Sequence, residues 1–188
     1  DAGTLATDSV VTGKIADGTI ANADIADLAA SKLTGALPAI SGASLTGITT
    51  GKVLQVVMGT DTGYTTTTSS TYSDTGLSAS ITPATGSKVL VLISHGGLDK
   101  RGGASGYIGL KLFRSSTEIL KFSGQFGYTA GTLIQSGGLS YSYLDASAGG
   151  DGSTAITYKT QFNSEGSITA GVHAGGETST LTLIEIGA

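Results

Sequence analysis

The chain has no cysteine, which excludes disulfides, thiolate chemistry and cysteine-based zinc sites and leaves its redox compartment open. It has only two prolines and 13% charged residues against thirty glycines, a texture that favours many turns and strands over long helices. The ten Lys and Arg are scattered, and a net charge of −4 with a pI near 4.9 gives no electrostatic footprint for nucleic acid. No apolar run reaches the ~18 to 20 residues of a membrane span, and no signal-peptide pattern opens the chain, so a soluble protein without membrane insertion is expected. The first residue is Asp1 and the single methionine is Met58, which fits a processed chain or the ordered part of a longer one.

Aromatic residues are missing from residues 1–50, whereas every Tyr and Phe lies between Tyr64 and Phe162. The 188 residues accommodate one domain with an appendix or two small domains, and this change of composition sets the boundary at Gly51. In the first part the large aliphatics keep a beat of five at Leu5, Val10, Ile15, Ile20 and Ile25, then continue unevenly at Leu28, Leu33, Leu37, Ile40, Leu45 and Ile48. A step of five rotates a helix by about 140° and alternates the faces of a strand, so neither element gives these residues one shared face. A chain with bends, supplied by Asp17-Gly18 and by Thr-Gly pairs, fits better.

One copy of such a sparse row buries too little. Three parallel copies stack it into a thin continuous core, each buried Ile or Leu contributing roughly 1.5 to 3 kcal/mol. The candidate core positions are Val10, Ile15, Ile20, Ile25, Leu28, Leu33, Leu37, Ile40, Leu45 and Ile48. Two local alternatives are a short helix over residues 22–33 and a five-residue-coil β-helix. The second is opposed by conflicting registers at Ala23-Asp24-Ile25 and Ala26-Asp27-Leu28.

Residues 51–188 read as all-β. Strand signals occur at 52–58, 64–72, 77–81, 88–94, 107–113, 118–126, 137–145, 154–162 and 179–188, separated by Gly, Asp and Pro. In "YIGLKLF", Ile108, Leu110 and Leu112 share one face and Tyr107, Gly109, Lys111 and Phe113 the other; in the closing run, Leu181, Leu183 and Glu185 oppose Thr182, Ile184 and Ile186. Eight to ten such strands predict a β-sandwich of jelly-roll type carried on an extended, intertwined N-terminal stem.

"GTIANADIADLAASKLTGALPAISGASLTGI" followed by "KVLQVV" resembles the stem-to-head junction of tailed-bacteriophage fibre proteins, and "TYSDTGLSASITPATGSKVLVLIS" is similar to a β-rich C-terminal segment of such virion proteins. Together these stretches cover most of residues 18–94. The resemblance implies a homotrimeric virion appendage that attaches to other virion proteins through its N-terminal side. It also implies a head that meets host-surface glycan or protein as a tail fibre, with a head fibre or capsid decoration protein as the alternative.

Motifs of catalysis are scarce: there is no G-x-S-x-G, P-loop or H-E-x-x-H. Asp99, Glu118, Asp145, Asp151, Glu165, Glu177 and Glu185 are spread over separate segments, so a polysaccharide depolymerase is the weakest of the three readings. No cofactor or metal is expected. His95 and His173 read as polar residues beside turns, with metal binding at a threefold axis as the rival, and Asp8, Asp17, Asp24 and Asp27 read as solvated stem carboxylates. The glycine-rich stretch 95–107 is expected to form a mobile loop presenting Asp99, Lys100 and Arg101 to a receptor, with Tyr128 exposed in a second loop. Tyr128, Tyr141 and Tyr143 serve either as sugar platforms or as cross-strand packing.

Overall fold

The computed structural model describes residues 52–103, 105–130 and 132–187, together with Ala16 and Thr19. The stem aliphatics over 10–48, the helix over 22–33 and the stem carboxylates lie outside the described residues. The one contact described before residue 52 is an i to i+3 closure in which Thr19 N and Oγ1 both donate to Ala16 O, at 3.2 and 2.7 Å. The chain divides after Ile48 into two units.

The second unit, residues 49–188, is all-β, with no α-helix among the described residues. Its ten strands are β1 (Val53–Asp61), β2 (Thr65–Thr67), β3 (Ser73–Ile81), β4 (Lys88–Arg101), β5 (Gly106–Arg114), β6 (Thr117–Thr129), β7 (Gln135–Asp145), β8 (Ile156–Gly166), β9 (Thr169–Val172) and β10 (Ser179–Ile186). They make two antiparallel sheets around one core. The first runs β1-β10-β4-β9-β2 with β7 on the other edge of β4; the second runs β3-β8-β5-β6.

Alternation decides which residues enter the core. Ile108, Leu110 and Leu112 of β5 are fully buried, as are Leu181 and Leu183 of β10, and they meet Val89, Val91, Leu77, Tyr158 and Phe162 from neighbouring strands. Each such side chain contributes roughly 1.5 to 3 kcal/mol by leaving water. Two expected strands differ most in extent. Of residues 64–72 only Thr65–Thr67 pairs, because serines and threonines there bond their own backbone two residues on, as Thr67 Oγ1 does with Ser69 N at 3.1 Å and Ser69 Oγ with Thr71 N at 3.0 Å. Strand β4 instead runs seven residues past Ser94, through a bulge at Gly96 and Gly97.

Three buried polar centres tie the layers together. Glu185 lies on the core face of β10; its Oε1 accepts from Ala84 N at 2.7 Å and its Oε2 from Gln55 Nε2 at 2.6 Å. Burial pushes its carboxyl up, but hydrogen bonds from Ser87, Gln55 and the Ala84 amide outweigh burial and hold it below the usual range. Asp145 at the end of β7 accepts from Arg114 Nη1 of β5 at 3.0 and 2.8 Å and from Tyr158 Oη of β8 at 2.8 Å, so one carboxylate joins both sheets. Burial first, then the Asp145 carboxylate, raises the Tyr158 phenol.

The third centre corrects the expected setting of the histidines: His173 does stand beside a turn, directly after β9, but His95 lies inside β4, and both side chains are within the core of one chain rather than at an axis between copies. His95 and His173 are buried, at 1% and 0% exposure, and their rings stack with centroids 5.9 Å apart. His95 Nε2 lies 3.0 Å from Thr160 Oγ1, which lies 2.6 Å from Thr75 Oγ1, and Phe122 stacks on its ring at 6.2 Å. Among the described residues no group of three or more His, Cys, Asp or Glu could hold a metal ion.

Burial, and then the neighbouring His173, lowers the His95 pKa from 6.5 to about 4. Between these values the unfolded chain binds the proton and the folded chain resists it, so stability falls as pH drops from 6.5 towards 4. At 1.36 kcal/mol per pKa unit the effect is on the order of 3 kcal/mol. Thermal unfolding at pH 7.5 and pH 4.5 should therefore show a smaller acid loss for His95→Gln than for the parent chain; equal losses would mean that His95 is not the titrating group.

Candidate functional site

The described part of the unit begins at Lys52, whose carbonyl accepts from Gly187 N at 2.9 Å, and Val53 pairs with Ile186, itself opposite Lys88. Strand register puts Arg114 and Asp145 at this same end. The opposite end is formed where β4 finishes at Arg101, β7 starts at Gln135, β5 starts at Gly106, and β6 and β8 finish at Thr129 and Gly166. This far end collects exposed aromatic and aliphatic side chains: Tyr64 (48%), Tyr128 (56%), Leu133 (65%) and Ile134 (64%).

Two groups occupy it. In the first, buried Asp99 pairs with Arg101 Nε, accepts from Tyr64 Oη at 3.3 Å through Oδ2, and accepts from Ser136 Oγ at 3.2 Å through Oδ1. The Arg101 guanidinium carbon stands 5.8 Å from the centre of the Tyr64 ring, within cation–π range. Burial, and then the Asp99 carboxylate, raises the Tyr64 phenol, while Arg101 opposes the shift. The carboxylate thus fixes an aromatic ring and a guanidinium that both face solvent.

The second group is a shallow cleft of about 190 Å³ lined by Ser105, Gly106, Tyr107, Tyr128, Glu165 and Gly166. Tyr107 of β5 is the register partner of Glu165 of β8, and Tyr128 approaches from β6, whose Thr129 pairs with Gly106. Glu165 Oε1 accepts from Asn163 Nδ2 at 2.7 Å, and the same nitrogen donates to Ser70 O at 2.9 Å, so the carboxylate is held from behind. The floor is bare backbone: at Gly166, φ is +87° and a Cβ would sit 2.2 Å from Ser105 O. A larger residue there would be strained and would force the backbone to move.

The expected receptor loop is corrected by this geometry. Asp99 and Lys100 lie inside strand β4 and are buried, because the Gly96-Gly97 bulge lets the strand continue where the glycines read as a loop. Arg101 is the last residue of β4 and exposed, and Tyr128 is the penultimate residue of β6 and exposed. Tyr143 packs against the core, and Tyr141 lies beside Phe122 with ring centroids 5.7 Å apart. Sequence reasoning did not single out Tyr64, Tyr107 or Glu165 for binding. Tyr107 and Glu165 are 58 positions apart and become neighbours only through strand register. The other weighed carboxylates have separate settings: Glu118 pairs with Lys111, Asp151 accepts from Ser153 and Thr154, and Glu177 accepts from Gly97 N.

In comparisons with known proteins, no family model and no curated protein matches the chain.

Replacing Asp99 with Ala should cost about 1 to 3 kcal/mol, since it removes the acceptor that satisfies Tyr64, Arg101 and Ser136. Chemical denaturation of the variant checks this, and an unchanged midpoint would show that the group contributes nothing to the fold.

Proposed function

We propose that the protein is a structural component of a tailed-phage virion: a homotrimeric tail fibre whose head, a β-sandwich of jelly-roll type, is presented for attachment to the host surface. The sheet order β7-β4-β10-β1 against β6-β5-β8-β3, with all neighbours antiparallel, supports the jelly-roll reading. The stem supports the trimer through its sparse aliphatic row, which needs partner chains to bury it.

The observation that carries the reading is the outer face of the first sheet. Register aligns Val56, Ile184, Leu90 and Leu144 in one row across four strands and Met58, Thr182, Leu92 and Ser142 in the next. Val56, Met58, Leu92 and Leu144 are 58%, 61%, 37% and 44% exposed, and Lys88 is the charged residue bordering these rows. Contiguous exposed apolar side chains across several strands are the kind of patch that marks a protein–protein contact. The two rows themselves carry no charged residue, and the 440 Å³ hollow over Leu92, Ser94, Ser140 and Thr180 gives a partner's side chains room to enter.

Sedimentation of the full chain should give a species of three 18.5 kDa copies. Because the chain has no cysteine, a single introduced thiol reports its own surroundings. Leu92→Cys should be shielded from maleimide in the assembled protein, and Lys121→Cys on the other sheet should label freely. A monomer, or equal labelling at both positions, would remove this reading.

A further inference from the structure

Resting on the attachment reading, we propose that the far-end cleft between Tyr107, Tyr128 and Glu165 binds one neutral or amino hexopyranose unit of a host-surface polysaccharide.

Position is the first ground. The described part of the unit begins beside Ile186 and Gly187, and the cleft lies at the opposite ends of β5, β6 and β8, so whatever covers the outer face of the first sheet leaves it open. Chemistry is the second. A pyranose has one face of C–H groups and a rim of hydroxyls, so it asks for an aromatic surface beside an acceptor. Tyr128 supplies an exposed ring and Tyr107 a second from the adjacent strand. Glu165 supplies the acceptor: its Oε1 is engaged by Asn163, and its Oε2 has no hydrogen-bond partner among the described residues. Asn163 is buried and bonded to Ser70 O, so it acts as a positioning residue that holds the carboxylate at the rim.

Size and charge narrow the ligand class. About 190 Å³ falls below the ~300 Å³ at which pockets begin to engulf drug-sized molecules, so the cleft takes one ring and leaves the rest of a glycan in solvent. The cleft's own ionisable acid is Glu165, with no Lys or Arg among its lining residues, which disfavours uronic and sialic acids and favours hydroxyl or ammonium donors. One such contact is weak, and three copies on one fibre raise the avidity without any new contact.

The test uses the full chain on an array of immobilised neutral, amino and acidic hexopyranose conjugates, beside adhesion to host cells. The parent chain should bind neutral or amino conjugates. Tyr128→Ala and Glu165→Gln should each lose at least tenfold, with trimer mass and unfolding midpoint unchanged, while Tyr64→Ala in the neighbouring group should retain binding. Preference for acidic conjugates, or undiminished binding by Tyr128→Ala, would overturn the assignment. Adhesion to cells without binding to any conjugate would overturn the glycan and leave the attachment reading standing. No adhesion to host cells would remove both.

Discussion

The Gly96-Gly97 bulge in β4 is the constraint on which the far end depends. Up to Ser94 this strand pairs with β10, and from Asp99 it pairs with β9; between the two ladders its amides must be satisfied another way. Gly96 N donates to Ser179 Oγ at 3.0 Å and Gly97 N to Glu177 Oε2 at 2.6 Å, so two side chains bridge the change of partner. Gly97 has φ of +57°, and a Cβ there would lie 2.4 Å from Ala174 N. Glycine is therefore required by both conformation and space. Because the strand survives this point, Asp99 is carried under the far end, where it fixes Tyr64 and Arg101.

The two outer faces have opposite characters. On the first sheet, aliphatics grade into a band of Thr and Ser, and the exposed hydrophobic side chains stand in register across neighbouring strands. On the second sheet, Lys111 pairs with Glu118 at 2.7 Å and stands 4.2 Å over the Tyr72 ring, while Lys159 and Gln161 both donate to Asp74. Exposed ion pairs of this kind add little stability, so their consequence is a hydrated face. One outer face is thus apolar and the other polar. The far-end cleft belongs to the polar sheet.

Inside, the buried polar groups specify the packing more than they strengthen it. Asp145 is met by Arg114 and Tyr158, and Glu185 by Gln55 and the Ala84 amide, so each carboxylate is satisfied only when strands from separate parts of the chain are in register. A slipped strand would leave a charge in the core without partners, which is far costlier than a lost apolar contact. Glu185 also joins the closing strand to the turn at Thr82 and Ala84, because Gln55 Nε2 donates to Thr82 O at 2.8 Å as well.

The sequence by itself determined the all-β class and the inward faces of its clearest strands, because a two-residue period leaves one way to bury Ile108, Leu110 and Leu112 or Leu181 and Leu183. That same period put Glu185 on the face of Leu181 and Leu183, which the structure buries, although its partners were invisible. Glycine pairs misled it, since Gly-Gly reads as a loop unless distant side chains cap the freed amides, as Ser179 and Glu177 do here. His95 misled it for a related reason: local polarity says turn, and only packing against Phe122 and Thr160 makes the site a core. Tertiary structure alone decided that Tyr107, Tyr128 and Glu165 share a cleft, because strand register, which no local pattern encodes, joins residues far apart in the chain.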